Sequence, residues 1–292
     1  MKRTLSILLS LLLLCLWGCA ESNSEYTVAA TTAPVYCFTD RLCENTPVEV
    51  KQVVTEPVSC LHDYSLQVGQ MRILESADLV VISGAGLEGF LDDALTLTDS
   101  LCDAGSGLTL ICTENHGHDH DHGDGHDHSH DSHTWLSPKN AAVMAQNICR
   151  SLSAQFPEYS TMFESNLSSL LADLSALQAY GEATLSDLAT RELITFHDGF
   201  AYFAQAFDLT ILESVEEESG SEASASDLIG LITLVREHRL PAIFTEINGS
   251  DAAAAIIAHE TGVKTYSLSM AMSGDYFTQM YRNIDTVKEA LG

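Results

Sequence analysis

Apolar and polar positions along this chain fall into two blocks of one kind separated by a block of another. In the first block, short β-branched runs alternate with helical stretches such as that near 34–43. These runs are YTVAATT from Tyr26, VEVKQVVT from Val48, ADLVVIS from Ala77 and LTLIC ending at Cys112. Strands buried on both faces read as nearly continuous apolar segments, so the alternation predicts a mainly parallel sheet covered by helices. From Pro138 to about Leu188 the period changes. Leu167, Leu170, Leu171, Leu174 and Leu177 recur at spacings of three and four, which is helical. Pro157 is read as opening a new helix, because proline is accepted in a first turn and disrupts an interior. Residues 191–292 resume the alternation with ELITF, LTILES, PAIFTE and VKTYSLS, helices between them, and a final helix. The predicted class is α/β, with an N-terminal lobe at 26–137, a helical linker at 138–190 and a C-terminal lobe at 191–292.

The first residues do not belong to this pattern. Lys2 and Arg3 precede an apolar run from Leu5 to Trp17, the layout of an export signal. The run is shorter than the roughly 20 residues a spanning helix needs. It ends in Leu16, Trp17, Gly18 and Cys19, which reads as a lipobox: cleavage after residue 18, diacylation of Cys19, and a polar tether over 19–25. Two acyl chains anchor stably where one does not. The expected location is therefore extracytoplasmic, on the bacterial cell membrane, in the periplasm if the envelope has two membranes. Loss of 1–18 removes two bases and no acids, taking the formal charge from -28 to -30. Such a field excludes nucleic acid as a natural partner and attracts cations.

Six cysteines follow Cys19, at 37, 43, 60, 102, 112 and 149, and no two form a CxxC pair. A sulfur-rich structural zinc site is therefore not expected, and buried thiols or disulfides are, with fifteen pairings open. Histidine is the informative residue. His116, His118, His120, His122, His126, His128 and His130 alternate with Asp, Gly and Ser in an insert at 114–132 that has no apolar residue to fold it. Many imidazoles on a surface loop bind zinc, copper or nickel weakly. A second acidic stretch, ESVEEESGSEASASD at 213–227, reads as a solvated loop.

Three more histidines stand at strand exits or helix entrances: His62 in HDYS, His133 in HTWLSP and His197 in FHDGFAYF. In open α/β sheets ligands bind outside the carboxyl ends of the strands, where such residues converge. Singly each is an ordinary histidine; together, beside the tract, they form a candidate metal set. Trp135 is expected to wedge beside His133. His238 and His259 fall in last helical turns, where a cation complements the dipole.

The segments VAATTAPVYCFTDRLC, HDYSLQVGQMRILESADLVVISGAGLEGFLD, HTWLSPKNA, ITFHDGFAYFAQAF and DYFTQMYRNIDTV together cover nearly the whole mature chain. In them the sequence resembles the cluster A-I solute-binding proteins of bacterial zinc and manganese ABC importers, particularly the zinc (ZnuA) type. The resemblance implies two Rossmann-like lobes joined by a long rigid backbone helix, metal in the cleft between them, and His62, His133 and His197 as ligands. It implies a monomeric receptor for an ABC permease with a separate ATPase subunit, catalysing no reaction. Relatives place Asp or Glu at a fourth position where this chain has Ser267 and Ser269, so water, Glu246 or a tract histidine is left to fill it. Three imidazoles without that carboxylate favour Zn2+ over Mn2+, which prefers harder oxygen donors.

GAGLEG at 84–89 satisfies GxGxxG, but it does not follow the first strand, and no acid is expected on a second strand end about 20 residues on. A dinucleotide site is therefore rejected. A zinc hydrolase needs a general base. HExxH is absent, and Glu246 is the one nominee. A manganese receptor of the same fold remains an alternative, as does an adhesin or a metal buffer without a transporter, which neighbouring permease and ATPase genes would separate from a receptor.

Overall fold

The computed structural model describes residues 24–56, 61, 64–96, 98, 100–112, 130–215, 224–247, 249 and 251–292. The export signal, Cys19, Cys60, His62, the tract histidines from His116 to His128 and the run Glu216–Glu218 lie outside them.

The N-terminal lobe runs β1 (Tyr26–Ala30), α1 (Ala33–Cys43), β2 (Val48–Gln52), α2 (Val68–Glu75), β3 (Leu79–Ile82), α3 (Asp92–Leu95) and β4 (Leu101–Asp103). The linker is α4 (Pro138–Gln155) and α5 (Ser160–Thr184). The C-terminal lobe runs β5 (Glu192–Thr195), α6 (Ala201–Ala206), β6 (Thr210–Ser214), α7 (Ala225–His238), β7 (Ala242–Glu246), α8 (Ala252–Thr261), β8 (Lys264–Leu268) and α9 (Tyr276–Leu291). Each lobe holds one four-stranded sheet, ordered β2-β1-β3-β4 and β6-β5-β7-β8, and every pairing is parallel. The two sheets thus share one topology, with switch points between β1 and β3 and between β5 and β7.

Local chemistry sets the helix limits that matter for function. Ser137 caps α4 by accepting from the Asn140 N–H, and Pro138 supplies the preset first turn. Ser224 and Asp227 form a reciprocal capping box on α7, so the acidic stretch is ordered again by its last residues. Helix α5 has 25 residues, about 37 Å at 1.5 Å per residue. It buries Phe163, Leu170, Leu174 and Leu177, while Leu167 and Leu171 are half-buried. A 3-10 turn at Pro157–Tyr159 separates it from α4, where proline was expected to open a helix.

One apolar cluster joins α1 (Phe38, Leu42), α4 (Ile148, Leu152), α5 (Phe163, Leu170, Leu177), α6 (Phe203) and α9 (Ile284, Leu291). Truncating one such side chain to alanine costs about 2–5 kcal/mol. The linker helices are therefore the shared core of both lobes.

One expected strand is corrected. LTLIC is not a strand, and its last residue alone makes an isolated antiparallel bridge, Cys112 to His130. The place beside β3 is taken by β4, three residues with one buried side chain, too short and too amphipathic to read as a buried strand. Among the described residues no helix is long and apolar enough to cross a membrane.

Candidate metal centre

His133 is built into its position from both sides. One carboxylate oxygen of Asp131, Oδ1, accepts both the His133 backbone N–H and its ring Nδ1, each at 2.8 Å. A carboxylate can only accept, so Nδ1 carries a proton, and in the neutral ring this leaves Nε2 as the atom with a lone pair to donate. On the chain's other side, Trp135 is fully buried, with its ring centroid 5.3 Å from that of His133. The Trp135 indole N–H donates to the Met270 carbonyl at 2.8 Å, and the Tyr276 hydroxyl donates to the Trp135 carbonyl at 2.8 Å. The expected wedge is thus pinned to the segments that follow β8.

His197 follows β5 and is buried at 5% exposure, as His133 is at 4%. The two imidazole centroids are 5.3 Å apart with planes at 85°. Gly199 makes this approach possible: a Cβ there would lie 2.8 Å from His133 Nδ1 and collide with the Met270 methyl. Glu246, the last residue of β7, is 3% exposed. Thr195 pairs with Phe244, and two residues further along each chain come His197 and Glu246. The carboxylate and the imidazole thus close adjacent strands.

Zinc fits the two rings. Imidazoles bound at about 2.0–2.1 Å on a tetrahedral ion have centroids about 5.2 Å apart. Two donors do not complete a site, and among the described residues no three His, Cys, Asp or Glu side chains gather closely enough to hold a metal. The structure therefore brings His133 and His197 together, does not draw Glu246 into a three-donor cluster with them, and leaves His62 outside the description. Ser267 and Ser269 are otherwise engaged: Ser267 bonds Thr245 at 3.1 Å, and Ser269 Oγ accepts the Ala271 N–H at 3.1 Å.

Besides Gly199, two residues in this centre carry roles not assigned from the sequence. Asp131 had a readable signal, an acid two positions before a candidate ligand. Tyr202, on α6 of the C-terminal lobe, had none. Its hydroxyl accepts the Ile111 N–H at 3.0 Å and donates to the Asp131 carbonyl at 3.1 Å, while the Asp131 N–H donates to the Ile111 carbonyl at 2.9 Å. One phenol thereby holds both strands of the neck from which the histidine-rich insert leaves. His130 sits exposed on that neck. His238 ends α7 with its ring 2.9 Å from Glu192, and His259 lies exposed in the last turn of α8; both have the helix-end positions expected of them.

The GAGLEG turn also needs a correction. An acid does close the neighbouring strand, Asp103 at the end of β4, and a Cβ at Gly84 (φ +83°) would collide with its carboxylate. The turn is nevertheless already filled. Glu88 Oε1 accepts the Ser83 N–H at 2.6 Å and the Thr31 hydroxyl at 2.7 Å, and Oε2 accepts the Gly84 N–H at 3.0 Å. The N–H groups that would cradle a pyrophosphate hold an internal carboxylate, so the rejection of a dinucleotide stands on this geometry.

Comparison with known proteins agrees with this architecture. The family model described as zinc-uptake complex component A periplasmic (ZnuA) matches residues 28–290. The zinc-binding lipoprotein AdcA of Streptococcus pneumoniae is 30% identical, over 99% of this chain and 61% of that protein. Among solved structures, a crystal structure of ZnuA superposes with a TM-score of 0.80 at 26% identity, covering 91% of this chain and 99% of that one. Zn(II)-bound AdcA from Streptococcus pneumoniae gives 0.76 at 25% identity, covering 91% and 57%. The chain spans between 56% and 61% of the length of the curated AdcA relatives it matches.

Proposed function

Since this chain belongs to the zinc-uptake complex component A (ZnuA) family of metal-receptor proteins, we propose that it captures Zn2+ outside the cytoplasm and delivers it to an ABC permease driven by a separate ATPase. The ligands are His62, His133 and His197, with Glu246 or water in the fourth position, and the lipid on Cys19 keeps the receptor at the membrane. The observation that carries this reading is the 5.3 Å separation of two buried, perpendicular imidazoles from different parts of the fold. Tetrahedral zinc requires that spacing.

Each residue has a defined task. Asp131 fixes the His133 tautomer and makes the ring a better donor, as outer-sphere carboxylates do. Gly199 lets β5's exit approach that ring, and Trp135 holds it against the segment after β8. The histidine tract raises the local zinc concentration as a tethered weak site. Manganese is the less suitable cargo because the donors are nitrogen.

Calorimetry on His62→Ala, His133→Ala and His197→Ala tests the ligand set. Each variant should lose at least about 100-fold in zinc affinity, the upper end of what losing even an outer partner costs. Full affinity in any of the three removes that residue from the set, and full affinity in both His133→Ala and His197→Ala ends the reading.

A further inference from the structure

The fold narrows the fifteen cysteine pairings that the sequence leaves open. The five described cysteines are thiols: Cys43, Cys102 and Cys149 are buried, Cys37 is half-buried and Cys112 is exposed. Among them one pair shares a neighbourhood. Cys43 closes α1 and Cys149 lies within α4, each on the buried face of its helix. α1 packs against α4, and both residues belong to the cluster that joins the lobes. Packed helix axes are about 8–10 Å apart and Cα atoms lie about 2.3 Å from each axis. Facing Cα atoms therefore approach to about 4–6 Å, the span a disulfide bridges. Helix α5 places the two at one level of this corner. The Asn166 side-chain amide donates to the carbonyls on either side of Cys43, those of Leu42 and Glu44, at 2.8 and 2.9 Å. Glu164, within the same turn of α5, is near enough for its charge to add to burial in raising the Cys149 thiol. The other described cysteines are turned elsewhere. Cys102 is hydrogen-bonded to Ser151, about 200° around α4 from Cys149. Cys37, about 240° around α1 from Cys43, takes the Tyr276 N–H at the start of α9.

We propose that Cys43 and Cys149 are joined by a disulfide in the exported protein, stapling the first helix of the N-terminal lobe to the linker. The oxidant is an external disulfide, R–S–S–R, of the kind an oxidising compartment supplies. One cysteine thiolate attacks it and releases R–S⁻; the second cysteine then displaces the other R–S⁻ from the mixed disulfide. One S–S bond forms for the one broken, two electrons pass to the external sulfurs, and the two thiol protons end on the released R–SH. The exchange belongs to folding, before the corner closes. Once it has closed, burial chiefly, with the charges of Asp40 and Cys149, pushes the Cys43 thiol up to about 12, which leaves almost no thiolate to react. The same burial shields the finished bond from reductants. The proposal rests on the reading of an extracytoplasmic receptor for its oxidant alone; the juxtaposition of the two thiols is independent of it.

The test is a peptide map without reduction, with free thiols alkylated in denaturant. It is run on the chain recovered from outside the cytoplasm and on the reduced full-length chain refolded in a mixture of glutathione and its disulfide. Both should yield the Cys43 and Cys149 peptides joined, at their summed mass less two hydrogens, with Cys37 and Cys102 alkylated. Reductant should lower the melting temperature of the parent and of Cys102→Ser by about 5–15 °C, because the bond closes a loop of roughly 100 residues, and should leave that of Cys43→Ser and Cys149→Ser unmoved. Alkylated Cys43 and Cys149 in both preparations overturn the proposal, as does either residue joined to another cysteine. A bond formed on refolding but missing from the recovered chain supports the pairing and counts instead against the extracytoplasmic reading.

Discussion

The two sheets have the same strand order, yet their switch points hold opposite contents. At the ends of β1 and β3, Thr31, Thr32, Ser83, Gly84 and Glu88 satisfy one another: Glu88 takes three hydrogen bonds, and Thr32 and Ser83 share one at 2.8 Å. At the ends of β5 and β7 stand two buried residues, His197, whose ring lies 5.3 Å from that of His133, and Glu246. The common fold offers a crevice in each lobe. In the N-terminal lobe an internal carboxylate fills it, and in the C-terminal lobe a buried imidazole and a buried carboxylate stand at it. Topology supplies the place for a ligand, and side chains decide whether anything can bind there.

This contrast can be sharpened by removing supports on each side. The largest effect on binding is expected for Asp131→Ala, which frees the His133 ring. Zinc affinity should fall about 10–100-fold by calorimetry, while Asp131→Asn, whose amide oxygen still accepts both N–H groups, should recover most of it. If Asp131→Asn binds as poorly as Asp131→Ala, orientation is not what Asp131 contributes.

Glu88→Gln probes the closed side and should leave zinc affinity unchanged. An amide NH2 cannot accept the Gly84 N–H, so unfolding stability should drop by about 1–3 kcal/mol in denaturant titrations. Its pH profile should change as well. Burial, chiefly, pushes the Glu88 carboxyl up from 4.5 to about 7, against the pull of its three donors. The folded chain therefore binds more protons than the unfolded one between those values. This group's stabilisation is complete below about pH 4.5 and is lost as pH rises through about 7, a difference on the order of 3 kcal/mol that the Gln variant should lack. A zinc-affinity loss in Glu88→Gln would mean the two switch points are coupled.

The smallest change is expected for Tyr202→Phe, which deletes two hydrogen bonds to the neck. It should cost about 0.5–1.5 kcal/mol for each bond and faster amide exchange at Ile111, with zinc affinity shifted only a few-fold. Exchange at Ile111 identical to that of the parent chain would show that the neck does not depend on the opposite lobe.

Much of this molecule follows from its one-dimensional pattern. Seven of the eight strand positions are legible as β-branched runs, because a strand covered on both faces has no polar alternation to disguise it. Pro157 marks the junction of α4 and α5, and the leucine spacing marks the buried stripe of α5, because these signals act over a few residues. β4 was missed and LTLIC misread for a converse reason: membership of a sheet depends on whether a neighbouring edge is vacant, which no local run records. The candidate ligands could be named from residue type and position beside strand ends. Their meeting could not, because His133 and His197 are far apart in the chain and adjoin only after α4 and α5 have joined both lobes in one core. Asp131, Gly199, Tyr202 and Glu88 acquire their roles from contacts of that long-range kind. Composition and periodicity determined the elements and the kind of chemistry; packing decided which donors face one another, since distances between remote residues exist only in the folded chain.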